Sequence, residues 1–254
     1  MATVHNHPLA WYVDKLRSGE PFAYLSYGDG EFLVASGLAI GRKMAFGELV
    51  TQAFSAEMRA SLDNADPRIL RGTDRHLIFP ETYHGGDAVP FRAMCAAWLG
   101  RLPDLRVLEW VDGVVWDRVA QDGKLWPLLE ALRELRPTLV ANRKLVEALK
   151  PILDPRAYRF IPETNAYGDI DAIAEWLTRP SYQPPKVFVL CMGLGASPLT
   201  CRLLAKHPDA TFIDLGSSLD LFARIGVNRG WRAELYADEA KYRDLVRRNL
   251  EGTC

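Results

Sequence analysis

Short apolar runs alternate along this chain with longer stretches in which apolar residues recur every three or four positions. Phe22-Ala-Tyr-Leu-Ser-Tyr27, Thr138-Leu-Val-Ala141, Ala157-Tyr-Arg-Phe-Ile161, Lys186-Val-Phe-Val-Leu-Cys191 and Ala210-Thr-Phe-Ile-Asp214 are rich in β-branched and aromatic side chains. They read as strands buried on both faces. Arg75-His-Leu-Ile-Phe79 and Leu105 to Val111 read as two more. Leu9 to Arg17 is predicted helical, closed by Ser18-Gly19, with glycine in the usual terminating place. Glu31 to Ile40, Gly47 to Leu62, Ala88 to Leu99 and Arg143 to Lys150 carry the same period, as does the stretch holding Ile170, Ile173 and Leu177. Asn142, Asp169 and Ser197 precede helical patterns as N-cap residues, with Pro198 in the first turn. Gly216-Ser-Ser218 opens a further helix, and Lys241 to Arg248 reads as a solvated helix face.

Strand and helix alternate without a hairpin signal. The expected fold class is therefore α/β, a Rossmann-like, mostly parallel sheet with helices on both faces. The chain of 254 residues suits one unit spanning 1–254. Residues 88–136 break the alternation and read as an inserted helical subregion, where Trp116 and Trp126 suit an acceptor pocket, a homodimer contact or plain core packing. Pro180 to Pro185 is a proline-rich connection.

Composition narrows the class only a little. A hydrophobic content of 48%, a charged content of 25% and a net charge of −1 are those of an ordinary globular protein without a general polyanion partner. No apolar run is long enough to span a bilayer, and Met1 to Pro8 lacks a signal peptide's basic and apolar regions. Cytoplasmic localisation is the expectation. Cys95, Cys191, Cys201 and Cys254 form no CxxC pair and read as free thiols, not as a zinc site. His5 and His7, near the terminus, read as exposed.

The candidate chemistry starts at Gly28-Asp29-Gly30-Glu31, directly after the first apolar run. Glycines allow tight turning and close approach, so Asp29 and Glu31 can converge at a strand end. Two carboxylates there suit Mn²⁺ or Mg²⁺, which keep positions open for phosphate oxygens; an ordinary surface turn uses the same residues. In a parallel sheet every strand-end loop opens on one edge. That edge would collect Gly28 to Glu31, Asn142-Arg143, Glu163 to Tyr167, Gly193 to Ser197 and Asp214 to Asp220. Gly193, Gly195 and Ser197 begin a helix, where backbone N–H groups favour phosphate. His84, in the loop Pro80 to Asp87, is a candidate acid or base.

The segments Lys15-Leu-Arg-Ser-Gly-Glu-Pro-Phe22 and Tyr27-Gly-Asp-Gly-Glu-Phe32 resemble the opening of the GT-D glycosyltransferases, first catalogued as a domain of unknown function. That family usually has arginine two residues before the glycine, where this chain has Ser26. Pro162-Glu-Thr-Asn165-Ala-Tyr167 resembles its Asn-Ala-aromatic loop, Leu190 to Gly195 its glycine loop, and Ile213-Asp-Leu-Gly216 its Asp-hydrophobic-Gly strand end. The resemblance runs from Trp11 to Phe222 and is weakest between Ala88 and Arg136.

It implies a metal-dependent transfer from a nucleoside-diphosphate sugar, a UDP-sugar first, with Asp29 and Glu31 on the cation. Gly28, Asn142, Asn165, Gly193, Gly195, Ser197, Asp214 and Gly216 would contact the nucleotide or sugar, and Asp220 or His84 would take the acceptor's proton. The acceptor could be a glycan, a glycoprotein or a modified DNA base, although Arg143-Lys144 and Arg247-Arg248 are too few for a DNA-binding stripe. Two other readings stand beside it. Cys191 to Gly195 followed by Asp214 fits an S-adenosylmethionine-dependent methyltransferase, which would leave Gly28 to Glu31 without a role. A non-catalytic nucleotide-binding module fits the same loops.

Overall fold

The computed structural model describes residues 3–44, 47–179, 186–226 and 230–252; the 180–185 connection and Cys254 lie outside them. Among the described residues the strands are β1 (Thr3–His5), β2 (Ala23–Tyr27), β3 (Ile69–Thr73), β4 (Glu109–Asp112), β5 (Thr138–Asn142), β6 (Ala157–Ile161), β7 (Val187–Cys191) and β8 (Thr211–Asp214). They form one sheet in the order β1-β4-β3-β2-β8-β7-β5-β6. Every pairing in it is parallel.

Helices cover both faces, giving two cores. Ala23, Leu25 and Tyr27 of β2, Phe188 and Leu190 of β7 and Phe212 of β8 point into one. Phe22 and Tyr24, Val187 and Val189, and Ile213 point into the other. Alternation between two apolar environments explains why these strands read as continuous apolar runs. Among the described residues no helix is long and apolar enough to cross a membrane.

The strand after the first helical region is Ile69–Thr73, not Arg75 to Phe79. The latter begins a short helix, Arg75–Ile78, because Asp74 accepts a hydrogen bond from the His76 N–H at 2.9 Å and caps it. Arg71 disguises β3. Its guanidinium turns back to the carbonyls of Leu62 and Asn64, so a charged residue sits in the middle of an inner strand. β4 is shorter than the expected Leu105 to Val111, because Pro103–Arg106 forms a 3-10 turn first. It pairs with β1 and β3, so the 88–136 stretch contributes a strand to the sheet.

His5 belongs to β1, and His7 stacks on Trp11 at 4.0 Å. Trp116 is core, packed against Tyr12 and Tyr24. Asn142 does cap its helix, accepting from the Leu145 N–H at 3.0 Å. Ser197 does not cap: Gly193–Gly195 makes a 3-10 turn, and the helix Ala196–Leu204 has already begun, placing Ser197 inside it. Asp169 makes no side-chain cap bond either. The helix after β8 starts at Asp220 instead of Gly216. The last helix, Glu239–Glu251, is not wholly solvated, since Leu245 and Asn249 are buried and Asn249 accepts from the Leu125 N–H at 2.9 Å.

Candidate active site at the carboxyl edge

β2 and β8 are neighbours whose continuing chains leave in opposite directions. The helix Asp29–Ala35 after β2 sends Phe32, Val34 and Ala35 into one core. Leu219 and Leu221 after β8 go into the other. Divergence of adjacent loops opens a crevice above the strand ends, the place where parallel α/β sheets bind ligands.

Carboxylates line this crevice. Glu31 stands in the first turn of its helix, and its Oε2 accepts from the Gly28 N–H at 2.9 Å. This is the acidic half of a capping box, favoured by the helix dipole. Asp29 begins the helix exposed, with Oδ1 accepting from the Gly30 N–H at 2.9 Å. Asp214, at the end of β8, is only 3% exposed. It accepts from the Gly216 N–H at 2.9 Å and, more weakly, from the Ser26 N–H of β2 at 3.4 Å. Burial, and then the negative charge of Glu31, push its carboxyl up to about 7. Both effects act against the ionised form, and a bound cation would relieve both.

The two acids of the Asp-x-Glu turn have different neighbours. The charge of Glu31 acts on Asp214. The charges of Asp29 and Asp74 act on Cys95, whose thiol burial and these carboxylates push up to about 11. Among the described residues no three His, Cys, Asp or Glu side chains gather as a metal cluster. Asp29 and Glu31 each offer hard carboxylate oxygens, the ligand type that Mn²⁺ and Mg²⁺ take alongside water or phosphate.

The glycine loop after β7 abuts the start of the β2 helix. A Cβ on Gly30 would stand 3.0 Å from Leu194 Cδ2, so the absence of a side chain there permits the contact. Gly193 is exposed, with φ +56, a left-handed conformation natural to glycine. Gly195 is buried below it, and its Cβ would lie 3.6 Å from the Tyr167 backbone nitrogen. Tyr167 also stacks on Phe54 at 3.7 Å, fastening the loop after β6 to the helix Gln52–Asp63.

The other sequence-selected residues are placed less centrally. Asn142 uses its side-chain oxygen as the cap already described. Asn165 is exposed on the loop after β6, the edge strand, in a left-handed conformation. Ser197 is 2% exposed in the core beside Tyr27. His84 is exposed beyond the helix that follows β3, its Nδ1 3.4 Å from Arg92. Asp220 is held by Arg232, with Nη1 donating to Oδ2 at 3.2 Å. One acidic residue went unselected. Glu48 is a buried carboxylate beside Gly193, and a single glutamate in a loop carries no pattern that would announce it.

A concavity of about 450 Å³ lies at the opposite edge, lined by Glu134, Leu135, Arg136, Arg156 and Lys186. Strands start there, and Arg136 pairs with Asp154, so the carboxyl-edge crevice remains the better site.

No family model matches the chain, and no curated protein matches it in sequence. Its fold, by contrast, is that of solved structures of the domain of unknown function 1792. One, described as a new glycosyltransferase from Streptococcus sanguinis, superposes with a TM-score of 0.62 at 16% identity, over 87% of this chain and 85% of that one. Another, described as having a distinct glycosyltransferase fold, gives 0.60 at 14% identity, over 92% and 82%. A third, a selenomethionine-substituted structure of the same domain, gives 0.61 at 13% identity over the same shares. The α/β architecture expected from the sequence, and its likeness to this group, hold at the level of fold.

Proposed function

We propose that this chain is a divalent-metal-dependent glycosyltransferase that uses a nucleoside-diphosphate sugar, with a UDP-sugar the first donor to test. One observation carries the reading. Glu31, bonded to the Gly28 N–H in the first turn of β2's helix, and the buried Asp214, bonded to Ser26 of β2, stand at neighbouring strand ends beside a glycine loop that packs on Gly30, and the charge of Glu31 pushes the Asp214 carboxyl up. The fold shared with structures described as glycosyltransferases supports it.

In this reading Asp29 and Glu31 hold Mn²⁺ or Mg²⁺, with Asp214 behind them. The cation would neutralise charge growing on the departing diphosphate, an effect worth several kcal/mol. Gly28, Gly193 and Gly216 give backbone access to phosphate or ribose, Gly195 lets the loop pack closely beneath them, and Asn142 and Asn165 flank the ligand from β5 and β6. The acceptor oxygen attacks the anomeric carbon while the bond from that carbon to the diphosphate oxygen breaks, and the acceptor's proton passes to His84 or to the Asp220 carboxylate, whose partner Arg232 also fastens the chain. Measuring kcat for Asp220→Asn and His84→Gln separately assigns that proton.

The methyltransferase reading draws no comparable support. That reading assigns the cofactor's ribose to the acid at the end of the strand next to β7, whereas the carboxylate of Asp214 receives its hydrogen bonds from Gly216 and from Ser26 of β2, on the side away from the glycine loop's strand. Calorimetric binding of UDP, GDP, ADP, TDP and S-adenosylmethionine, each with and without Mn²⁺, tests the proposal. Manganese-dependent binding of a nucleoside diphosphate, followed by transfer from its sugar derivative, is the expected result. Metal-independent binding of S-adenosylmethionine alone would overturn it. Tight nucleotide binding without hydrolysis or transfer from any sugar nucleotide would favour the non-catalytic module.

A further inference from the structure

The segment after helix Asp29–Ala35 turns back on itself beside the crevice. The Gly41 N–H donates to Val50 O at 2.8 Å, the Val50 N–H to Arg42 O at 3.0 Å and the Met44 N–H to Glu48 O at 2.8 Å. Lys43 and Leu49 form an antiparallel bridge. The two arms of this turn meet three strand-end loops. Met44 Cε lies 3.8 Å from where a Cβ on Gly30 would stand, and a Cβ on Gly47 would lie 3.1 Å from Thr164. Glu48 Oε1 is 3.8 Å from the Cβ position of Gly193. Glu48 is thereby delivered to the point where the loops after β2, β6 and β7 converge.

Its environment is unusual for an acid. Glu48 is 2% exposed, and its Oε2 has no hydrogen-bond partner among the described residues. Burial pushes its carboxyl upward. Leaving such an acceptor unmet costs stability, and a donor supplied from outside would remove the cost. Oε1, with Oε2 of the same carboxylate beside it, is the oxygen next to Gly193, which is exposed and has no side chain, so a ligand seated at that glycine meets the carboxylate there. A phosphate would be repelled there. Among the parts of a nucleotide sugar, hydroxyl groups are strong donors, and two adjacent hydroxyls match the two oxygens of one carboxylate.

We propose that Glu48 reads a vicinal diol of the donor, on the nucleoside ribose or on the transferred sugar. This inference rests on the nucleotide-sugar reading above and adds to it a specificity-determining residue.

The test is calorimetric titration, with Mn²⁺ present, of the wild type, Glu48→Gln and Glu48→Asp. The probes are UDP, 2′-deoxy-UDP and UDP-glucose, with the matching guanine and adenine nucleotides. Glu48→Gln keeps size and removes charge; Glu48→Asp keeps charge and shortens reach. If the ribose is read, the wild type prefers ribo- over deoxynucleotide by about 10- to 100-fold, and both variants lose most of that ratio. If the sugar is read, both variants narrow the gap between UDP-glucose and UDP and leave the ribo-to-deoxy ratio alone. Either pattern supports the proposal, with thermal midpoints at or above wild type for Glu48→Gln. Unchanged ratios, or an equal loss for every probe, would mean that Glu48 only packs the loops; the transferase reading would then stand without it. A wild type that binds no nucleoside diphosphate would remove both.

Discussion

Asp214 and Asp220 belong to one short segment, yet their surroundings are opposite. Asp220 meets Arg232, which is fully buried and also donates to Asp117 at 3.1 Å and to the Ser217 carbonyl at 2.6 Å. That cluster joins the helix Gly230–Ala237 to the loop after β8 and to the helix Val115–Asp122, and its charges are answered within the protein. Asp214 meets two backbone N–H groups and the like charge of Glu31. The first region uses charge to fasten the chain. The second holds its carboxylates in an arrangement that the fold alone does not favour and that a bound cation would improve.

The sharpest way to break this contrast is Arg232→Met. It removes the shared cation and leaves two aspartates facing each other, so the unfolding free energy in urea should fall by about 3–5 kcal/mol. A loss below about 1 kcal/mol would deny the cluster its fastening role. At the crevice the expected sign is reversed. Burial and the charge of Glu31 push the carboxyl of Asp214 up to about 7 in the folded chain, from about 3.9 when unfolded, so the folded state favours the protonated form. Its contribution is full below about pH 4 and is lost as pH rises towards 7, a drop of up to about 4 kcal/mol in metal-free protein. Asp214→Asn should flatten that slope, and Mn²⁺ should flatten it in the wild type. A slope unaltered by either would remove the like-charge pair from the account.

Glu31→Gln separates capping from chemistry. Glutamine at the same helical position can still accept from the Gly28 N–H, so stability should change by no more than about 0.5 kcal/mol. Metal-dependent turnover should fall by roughly 100-fold or more, and Asp29→Asn should act alike. Turnover within a few-fold of wild type in both variants would place the cation elsewhere.

These contrasts explain what the sequence discloses and what it hides. β2, β5, β7 and β8 are legible because two cores enclose them and leave mostly apolar side chains to choose from. β3 is not, because Arg71 satisfies two carbonyls from within the sheet, and the more apolar residues after it are taken into a capped helix instead. β1 is a three-residue edge strand, too short for any period. At the carboxyl edge, the placement of Asp29, Glu31 and Asp214 is legible because parallel topology brings every strand end there. Glu48 is not: only the fold-back of residues 41–44 and 47–50 carries it there. The same limit hides the partner of Asp220, since Arg232 comes from a separate helix.

The smallest effect tests how closely the two halves of the crevice must meet. Gly30 lies inside the first turn of a helix, where alanine would ordinarily add about 0.5–1 kcal/mol of stability. Here its Cβ would stand 3.0 Å from Leu194 Cδ2, the mobile end of a side chain, so Leu194 can yield by a few tenths of an ångström. Gly30→Ala should therefore leave the unfolding free energy within about 1 kcal/mol of wild type. The displaced residue sits between Gly193 and Gly195, so the glycine loop should shift away from Glu31. Affinity for a nucleoside diphosphate in the presence of Mn²⁺ should then weaken by roughly threefold to tenfold, because ligand contacts tolerate little misplacement. If affinity holds while stability rises by the full helical increment, the contact between Gly30 and Leu194 is ordinary packing, and the cation and the glycine loop act on the ligand independently.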